Sequence, residues 1–194
     1  GCSSVLLKKA GLTTLDKSMV VNGVEGEVDN VRNVDQYTVE VYLGRDHAPG
    51  LYAWIIPRKD GSAKVGLATK AGNPRNYLKH FVSRNPKARE KLKRSRFVHL
   101  SYHPIPLGGP IARTYYNGLL IVGDAASHVK PTTGGGVVMG LNCAKIAGET
   151  ACQAIERGDC SESFLSLYQE RWMKAMGFDM AVMRRIRLML NRLP

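Results

Sequence analysis

Residues 118–141 read GLLIVGDAASHVKPTTGGGVVMGL, the strongest structural signal in the chain. Residues 118–123 form a brief, wholly apolar run bounded by Gly118 and Gly123, the pattern of a strand buried on both faces. Gly123 is small enough to let a ligand approach the backbone. Asp124 follows at the carboxyl end of that strand, where ligands bind in open α/β sheets, and its carboxylate can accept hydrogen bonds from sugar or polyol hydroxyls. A polar loop then runs to Thr133, with a rigid turn at Pro131. Gly134, Gly135 and Gly136 lead into a long, Ala-rich helix expected over 137–157 and closed by Gly158-Asp159. Free N–H groups and the positive end of the helix dipole at its start favour a negative group. A lone Gly-Asp pair, or a glycine run before a helix, is common in proteins that bind nothing there. Both within one strand–loop–helix unit are far more specific.

Upstream, residues 3–11 read as a short helix capped by Ser3 or Ser4 and stopped by Gly11. From Met19 the pattern changes. Segments 19–28, 36–44, 51–57 and 63–69 are short and rich in Val, Tyr, Ile and Trp, and Lys59-Asp60-Gly61-Ser62 is a hairpin turn between the last two. This region is expected to be an antiparallel sheet. Residues 74–84 place Tyr77, Leu78, Phe81 and Val82 at helical spacing behind Pro74, and a second short helix is expected over 86–94. Residues 96–106 return to strand character, with Pro104 and Pro106 marking an edge or an exit from the sheet. After the long helix, 161–176 reads as a helix capped by Ser161, with Leu165, Leu167, Tyr168 and Trp172 as its apolar positions. In 179–193, Met180, Met183, Ile186, Leu190 and Leu193 lie near one face, with Arg184, Arg185, Arg187 and Arg192 between them.

Composition bounds the function classes. The chain has 194 residues, 44% of them hydrophobic, too apolar for a disordered segment. No run of about 18 uncharged apolar residues exists, so no spanning helix is expected. The 28 basic and 16 acidic residues leave a formal net charge of +12. Such a balance suits nucleic acid, an anionic membrane or an acidic protein partner. The basic residues read as dispersed, aromatics are only 7%, and no zinc-finger spacing, RNP-like stretch or Gly-Arg tract occurs, which argues against nucleic acid. Cys2, Cys143, Cys152 and Cys160 form no C-x-x-C pair and read as buried thiols of an intracellular protein. The N-terminus carries neither an initiator Met nor a signal-peptide pattern, and the expectation is a processed chain or a fragment.

The stretch Gly123-Asp124-Ala125-Ala126 … Lys130-Pro131-Thr132-Thr133-Gly134-Gly135-Gly136-Val137 resembles the second FAD-binding motif of flavoproteins with the para-hydroxybenzoate hydroxylase fold. In detail it resembles the geranylgeranyl reductase family, which includes archaeal digeranylgeranylglycerophospholipid reductases. A second stretch, Leu51-Tyr52-Ala53-Trp54-Ile55-Ile56-Pro57 then Lys64-Val65-Gly66-Leu67-Ala68, is similar to that family's aromatic-x-Trp-x-Phe-Pro … Gly-x-Gly signature. Ile56 stands in place of the Phe and Ala68 in place of the second Gly. Gly1-Cys2-Ser3-Ser4 … Gly11-Leu12 resembles the segment that follows the family's Ala-Asp-Gly motif. The resemblance runs from residue 1 to about 175.

The resemblance implies an α+β flavoprotein fragment: an antiparallel substrate-domain sheet plus the C-terminal strand–loop–helix of a Rossmann-like FAD domain. Residues 1–13 and 113–158 would be the remainder of the FAD domain, 14–112 the substrate domain and 159–194 a C-terminal helical segment. FAD would meet Gly123, Asp124, Ala125, Pro131, Gly134, Gly135, Gly136 and Val137. Asp124 would bind the ribityl chain, and the backbone at Gly136 and Val137 would approach the flavin. An isoprenoid glycerophospholipid chain would lie along Tyr52, Trp54, Ile56, Pro57 and Gly66, of which Tyr52, Trp54 and Ile56 alternate on one strand face. Nothing matches G-x-G-x-x-G after a strand, the fingerprint for the ADP half of FAD, so the chain is expected to be the C-terminal portion of a longer flavoprotein and inactive alone.

The activity implied is reduction of isolated C=C bonds of geranylgeranyl chains, with no metal. Tyr52, His128 and Cys143 are proton-donor candidates by residue type only. His128 reads more readily as a loop residue, and Cys143 as helix packing. The electron donor would be NAD(P)H or an acidic protein such as a ferredoxin. The place of work would be the cytoplasm or, peripherally, an anionic membrane surface. The rival readings are an FAD-dependent monooxygenase of the same fold and, in a different class, a basic membrane- or nucleic-acid-binding module.

Overall fold

The computed structural model describes residues 1–12 and 15–192. Leu193 and the expected domain boundary at 13/14 lie outside them. The chain divides into two compact units. One comprises residues 1–20 with 105–194, and the other residues 21–104.

The 21–104 unit is built on an antiparallel sheet of order β2-β3-β4-β1-β5, formed by β1 (Val20–Asp29), β2 (Glu40–Tyr42), β3 (Ala53–Pro57), β4 (Ala63–Thr69) and β5 (Arg96–Pro106). The β3–β4 hairpin closes where the sequence places it: Arg58 N–H donates to the Ser62 carbonyl at 2.8 Å, and Gly61 takes φ +79°, a conformation costly for a residue with a Cβ. Pro104 and Pro106 lie on the edge strand β5. β2 is only three residues long, shorter than the 36–44 segment the sequence suggests. Asp35 instead accepts hydrogen bonds from Tyr37 N–H and the Thr38 hydroxyl, and this local turn competes with strand.

Helices α2 (Pro74–Arg84) and α3 (Pro86–Leu92) start on Asn73 and Asn85, whose side chains cap Arg75 and Ala88 N–H groups. Leu78, Phe81, Ala88 and Leu92 face one side of the sheet and form a core with Val24, Val28, Ala53, Ile55, Val65 and Leu67. Fully burying a side chain of this size is worth roughly 1.5–3 kcal/mol, so this face holds the unit together.

The other unit holds α1 (Val5–Lys9), capped by Ser4, the two-residue strands β6 (Tyr115–Tyr116) and β7 (Leu119–Leu120), and helices α4 (Val137–Arg157), α5 (Glu162–Trp172) and α6 (Phe178–Leu190). Residues 118–123 depart from expectation. The run is strand only at Leu119–Leu120, pairs antiparallel with β6, and those leucines are half-buried. A strand buried on both faces needs neighbours on each side, and among the described residues β6 is its one partner.

α4 spans the predicted residues and ends at Gly158 in the left-handed conformation. Met139, Cys143 and Ala147 pack against Tyr168, Trp172, Met176 and Met180. The two C-terminal segments are continuous, joined by a π turn at Met173–Gly177. The inserted π turn shifts the phase of the following helix. Within that helix Met180 and Arg187 are buried and Met183 half-buried, whereas Ile186 and Leu190, read with the methionines near one face, are 43% and 44% exposed. No described helix is long and apolar enough to cross a membrane.

Candidate functional site

In the unit containing α4, the end of β7 is held by side chains whose hydrogen-bonding role the sequence did not reveal. Tyr168 OH donates to the Ile121 carbonyl at 2.9 Å. Trp172 Nε1 donates to Thr114 Oγ1 at 2.9 Å, and Thr114 N–H donates to Gln169 Oε1 at 2.8 Å. Ile121 N–H returns to the Thr114 carbonyl at 2.8 Å. A helix heptad (Thr114 aside) gives no sign of such a brace, because Tyr168 and Trp172 read simply as apolar positions.

The chain then turns sharply. Gly123 takes φ +66°, residues Gly123–Ala126 form a 3-10 turn, and Ser127 takes φ +56°. His128 N–H closes the turn on the Gly123 carbonyl at 3.0 Å. Asp124 is thrust outward and exposed, and among the described residues its carboxylate has no hydrogen-bond donor. Ala125 is half-buried and Pro131 buried. Lys130 and Gly134–Gly135 exchange backbone hydrogen bonds of 2.8 and 3.1 Å, which fold the loop back toward Asp124.

Gly136 is the point of closest approach. A Cβ there would stand 3.3 Å from Asp124 Oδ1 and 3.2 Å from Val129 Cγ2. One turn on, a Cβ at Gly140 would stand 3.6 Å from Gly123 Cα. The helix start thus lies against the Gly-Asp turn. No side chain caps α4, and no acid occupies its first turn, so its leading N–H groups and dipole are available to a ligand. Val137, Val138 and Leu141 beside it are 77%, 63% and 65% exposed. An acceptor for hydroxyls, an uncapped helix end and an apolar ledge suit the ribityl and ring portion of a flavin.

Two proton-donor candidates are enclosed. His128 is 0% exposed, stacks edge-on against Trp172 at 4.9 Å, and has no hydrogen-bond partner on either ring nitrogen. Burial lowers its pKa to about 4, so it is neutral near pH 7. It is a loop residue, as the sequence suggests, but a buried one. Cys143 is likewise 0% exposed, and burial pushes its thiol up to about 11, whereas Cys152, on the outer side of α4, and Cys160, just after it, are exposed and not buried as their sequence context suggests. Cys2 lies near the turn: burial, then the Asp124 carboxylate, raise its pKa. Behind the turn, Ser127 lines a cavity of about 420 Å³ with Gly108, Gly109, Ile111 and Arg184.

In the 21–104 unit, Trp54 and Ile56 are half-buried on β3, while Ala53 and Ile55 at the alternate positions are fully buried toward the helices. Tyr52, just ahead of the strand, packs its ring on Trp54 at 5.9 Å. Trp54 is paired with Gly66 across the hairpin, and a Cβ on Gly66 would stand 2.6 Å from both the Trp54 ring and the Val24 carbonyl oxygen. The indole lies flat over that gap, and Trp54 Nε1 donates to Glu25 Oε2 at 3.1 Å. Glu25 also pairs with Lys64 at 2.8 Å. Pro57 ends the strand opposite Ala63. Glu25 and Lys64 were not legible as partners of Trp54, because only sheet register brings three strands' residues to one spot. Among the described residues no cluster of His, Cys, Asp and Glu could hold a metal.

A family profile described as the geranylgeranyl reductase catalytic domain matches residues 20–101. The chain is 39% identical to digeranylgeranylglycerophospholipid reductase 2 of Methanothermobacter thermautotrophicus, over all of this chain and 49% of that protein. It is 38% identical to digeranylgeranylglycerophospholipid reductase of Methanocaldococcus jannaschii, over 89% of this chain and 44% of that one. Among solved structures, a geranylgeranyl bacteriochlorophyll reductase-like protein from Thermoplasma acidophilum superposes with TM-score 0.83 at 25% identity, covering 92% of this chain and 45% of its own. A flavin-dependent brominase superposes with TM-score 0.72 at 14% identity, over 96% of this chain and 50% of its own, which speaks for the fold alone. The mixed α+β architecture, with its five-stranded antiparallel sheet, is that of the FAD-dependent reductases and halogenases. Within that class, the chain belongs to the geranylgeranyl reductase family. It spans about half the length of the curated relatives it matches.

Proposed function

We propose that this chain is part of an FAD-dependent reductase that saturates C=C bonds of geranylgeranyl chains in isoprenoid glycerophospholipids. The observation that carries the reading is the close approach of Asp124 and Gly136 at the uncapped start of α4, in a chain similar to digeranylgeranylglycerophospholipid reductases. On this reading residues 1–13 and 113–158 serve the flavin, 14–112 the substrate chain, and 159–194 brace the flavin unit. The ADP half of the cofactor is assigned to no residue of this chain, and the chain alone is expected to be inactive.

When bound, reduced FAD supplies the hydride equivalent. The chain's own residues do the rest. Asp124 accepts hydrogen bonds from ribityl hydroxyls, while Gly123, Ala125, Pro131, Gly134 and Gly135 shape the turn that presents it. Gly136 leaves room at the helix start, and Val137 offers an apolar contact to the ring. Tyr52, Trp54, Ile56 and Pro57 over Gly66 give the isoprenoid chain an apolar surface that excludes water. Neutral, enclosed His128 and Cys143 are poorly suited to deliver a proton, which leaves Tyr52 as the candidate of the three. Electrons would come from NAD(P)H or an acidic carrier such as a ferredoxin, and work would take place in the cytoplasm or peripherally on a membrane.

The full-length protein, reduced and supplied with a geranylgeranyl glycerophospholipid without oxygen, is expected to yield the saturated lipid by mass spectrometry. No anaerobic turnover, with oxygen-dependent product instead, would favour a monooxygenase of the same fold.

A further inference from the structure

The positive charge is not evenly dispersed: one run of the sequence concentrates it, and folding gathers part of that run at a concavity. Residues 84–96 (RNPKAREKLKRSR) carry seven cations and one acid, Glu90. At the junction of α2, α3 and β5 the 21–104 unit forms a groove of about 670 Å³, rimmed by Arg84, Arg89 and Lys93 and floored by Val82, Leu92 and Phe97. No carboxylate lines it. Lys91 faces elsewhere and pairs with Glu40, and Glu90 is engaged by Asn33, but among the described residues Arg84, Arg89 and Lys93 meet no acid.

Ser83 and Ser95 also line the groove, and both hydroxyl protons go to backbone carbonyls. The helix dipole explains a cation at the end of a helix. It does not explain three gathered at one concavity. Such crowding of like charge is relieved by an anion.

We propose that this groove seats the phosphate headgroup of anionic lipid at a membrane surface. The three cations meet the phosphate, and half-buried Val82 and Phe97 meet the first carbons beneath it. The concavity suits a small headgroup better than a flat protein face. The groove lies apart from the isoprenoid-lining residues: Val82, Leu92 and Phe97 belong with the core that also buries Ala53 and Ile55, whereas Trp54 and Ile56 take the alternate positions of β3. It therefore stands independently of the flavin assignment.

The test is co-sedimentation of the full-length protein with phosphatidylcholine vesicles containing or lacking phosphatidylglycerol, across salt concentrations. Binding is expected only with phosphatidylglycerol and should weaken with salt. The Arg84→Gln/Arg89→Gln/Lys93→Gln variant, with far-UV circular dichroism as the folding control, should lose on the order of a hundredfold in affinity. A Lys8→Gln/Lys9→Gln/Lys59→Gln variant matches its net charge and should lose far less. Equal loss in both variants would overturn the site, because net charge alone would then account for binding. Equal binding to both vesicle types would overturn the headgroup. Displacement by inorganic phosphate at matched ionic strength would replace the membrane with a soluble phosphate ligand, and displacement by duplex DNA would replace it with nucleic acid.

Discussion

Asp124 and Gly136 are separated by a loop that folds back on itself, and the gap between them is set by one missing methyl group. Gly136→Ala in the full-length protein would put a Cβ 3.3 Å from Asp124 Oδ1. Because φ at Gly136 is −107°, alanine fits the backbone, and the change should act on the site rather than on the fold. Flavin absorbance per protein after gel filtration is expected to fall, as it should for Asp124→Ala, while the melting temperature moves little. Unchanged flavin content in both variants would show that the cofactor lies elsewhere. His128 predicts a pH dependence. Burial depresses its folded pKa from 6.5 to about 4, so between those values the unfolded chain binds a proton that the folded chain does not. Its contribution is fully present above about pH 6.5 and declines as pH falls, by at most ~1.4 kcal/mol per pH unit. The slope ends near pH 4, where the folded state takes the proton too. In urea unfolding at several pH values, His128→Gln should lose that part of the slope, and identical slopes would contradict the enclosed, neutral imidazole.

Elements here depend on contacts that only their neighbours supply. β3 and β4 are legible as a hairpin, yet their fit rests on Gly66 beneath Trp54. Gly66→Ala introduces a Cβ 2.6 Å from the indole and from the Val24 carbonyl. Overpacking of this kind costs about 1–3 kcal/mol, and it should appear as a lowered melting temperature with a changed tryptophan emission spectrum. A wild-type melting temperature and spectrum would mean that the ring does not lie over that gap. Helix α5 is tied to the Gly-Asp turn through Tyr168. Tyr168→Phe leaves the buried Ile121 carbonyl without its donor and should cost about 1–3 kcal/mol in denaturant unfolding. The last helix shows the limit of periodicity. Spacing groups Met180, Met183, Ile186 and Leu190 near one face, yet Arg187 is buried and Ile186 exposed, because the neighbouring elements and not the period decide which side is covered.

At the scale of the whole molecule, the core falls into separate clusters, with one in residues 21–104 and two in the remainder. A unit with its own core is expected to fold alone. Residues 21–104 expressed separately should unfold cooperatively in urea, and a non-cooperative, broad transition would show that the division is not a folding boundary. The net charge of +12 bears on partners rather than on the fold. Its meaning depends on where the cations converge, which in the 21–104 unit is the groove at Arg84, Arg89 and Lys93.

The sequence by itself determined the local structure and the family. Ser161 caps its helix, Gly61 and Gly158 turn the chain, and the bounds of strands 63–69 and 96–106 hold to the residue, because propensity, caps and turn chemistry act within a few residues. The Gly-Asp and triple-glycine pairing was legible for the same reason, since the chemistry of a strand–loop–helix unit is contiguous. What tertiary structure decided is what depends on residues brought together by folding: the Asp124–Gly136 contact, Tyr168 on Ile121, Glu25 on Trp54 and the burial of His128 against Trp172. Each is a matter of packing and register between elements, and no period within one element encodes which side chains another element will bring to it.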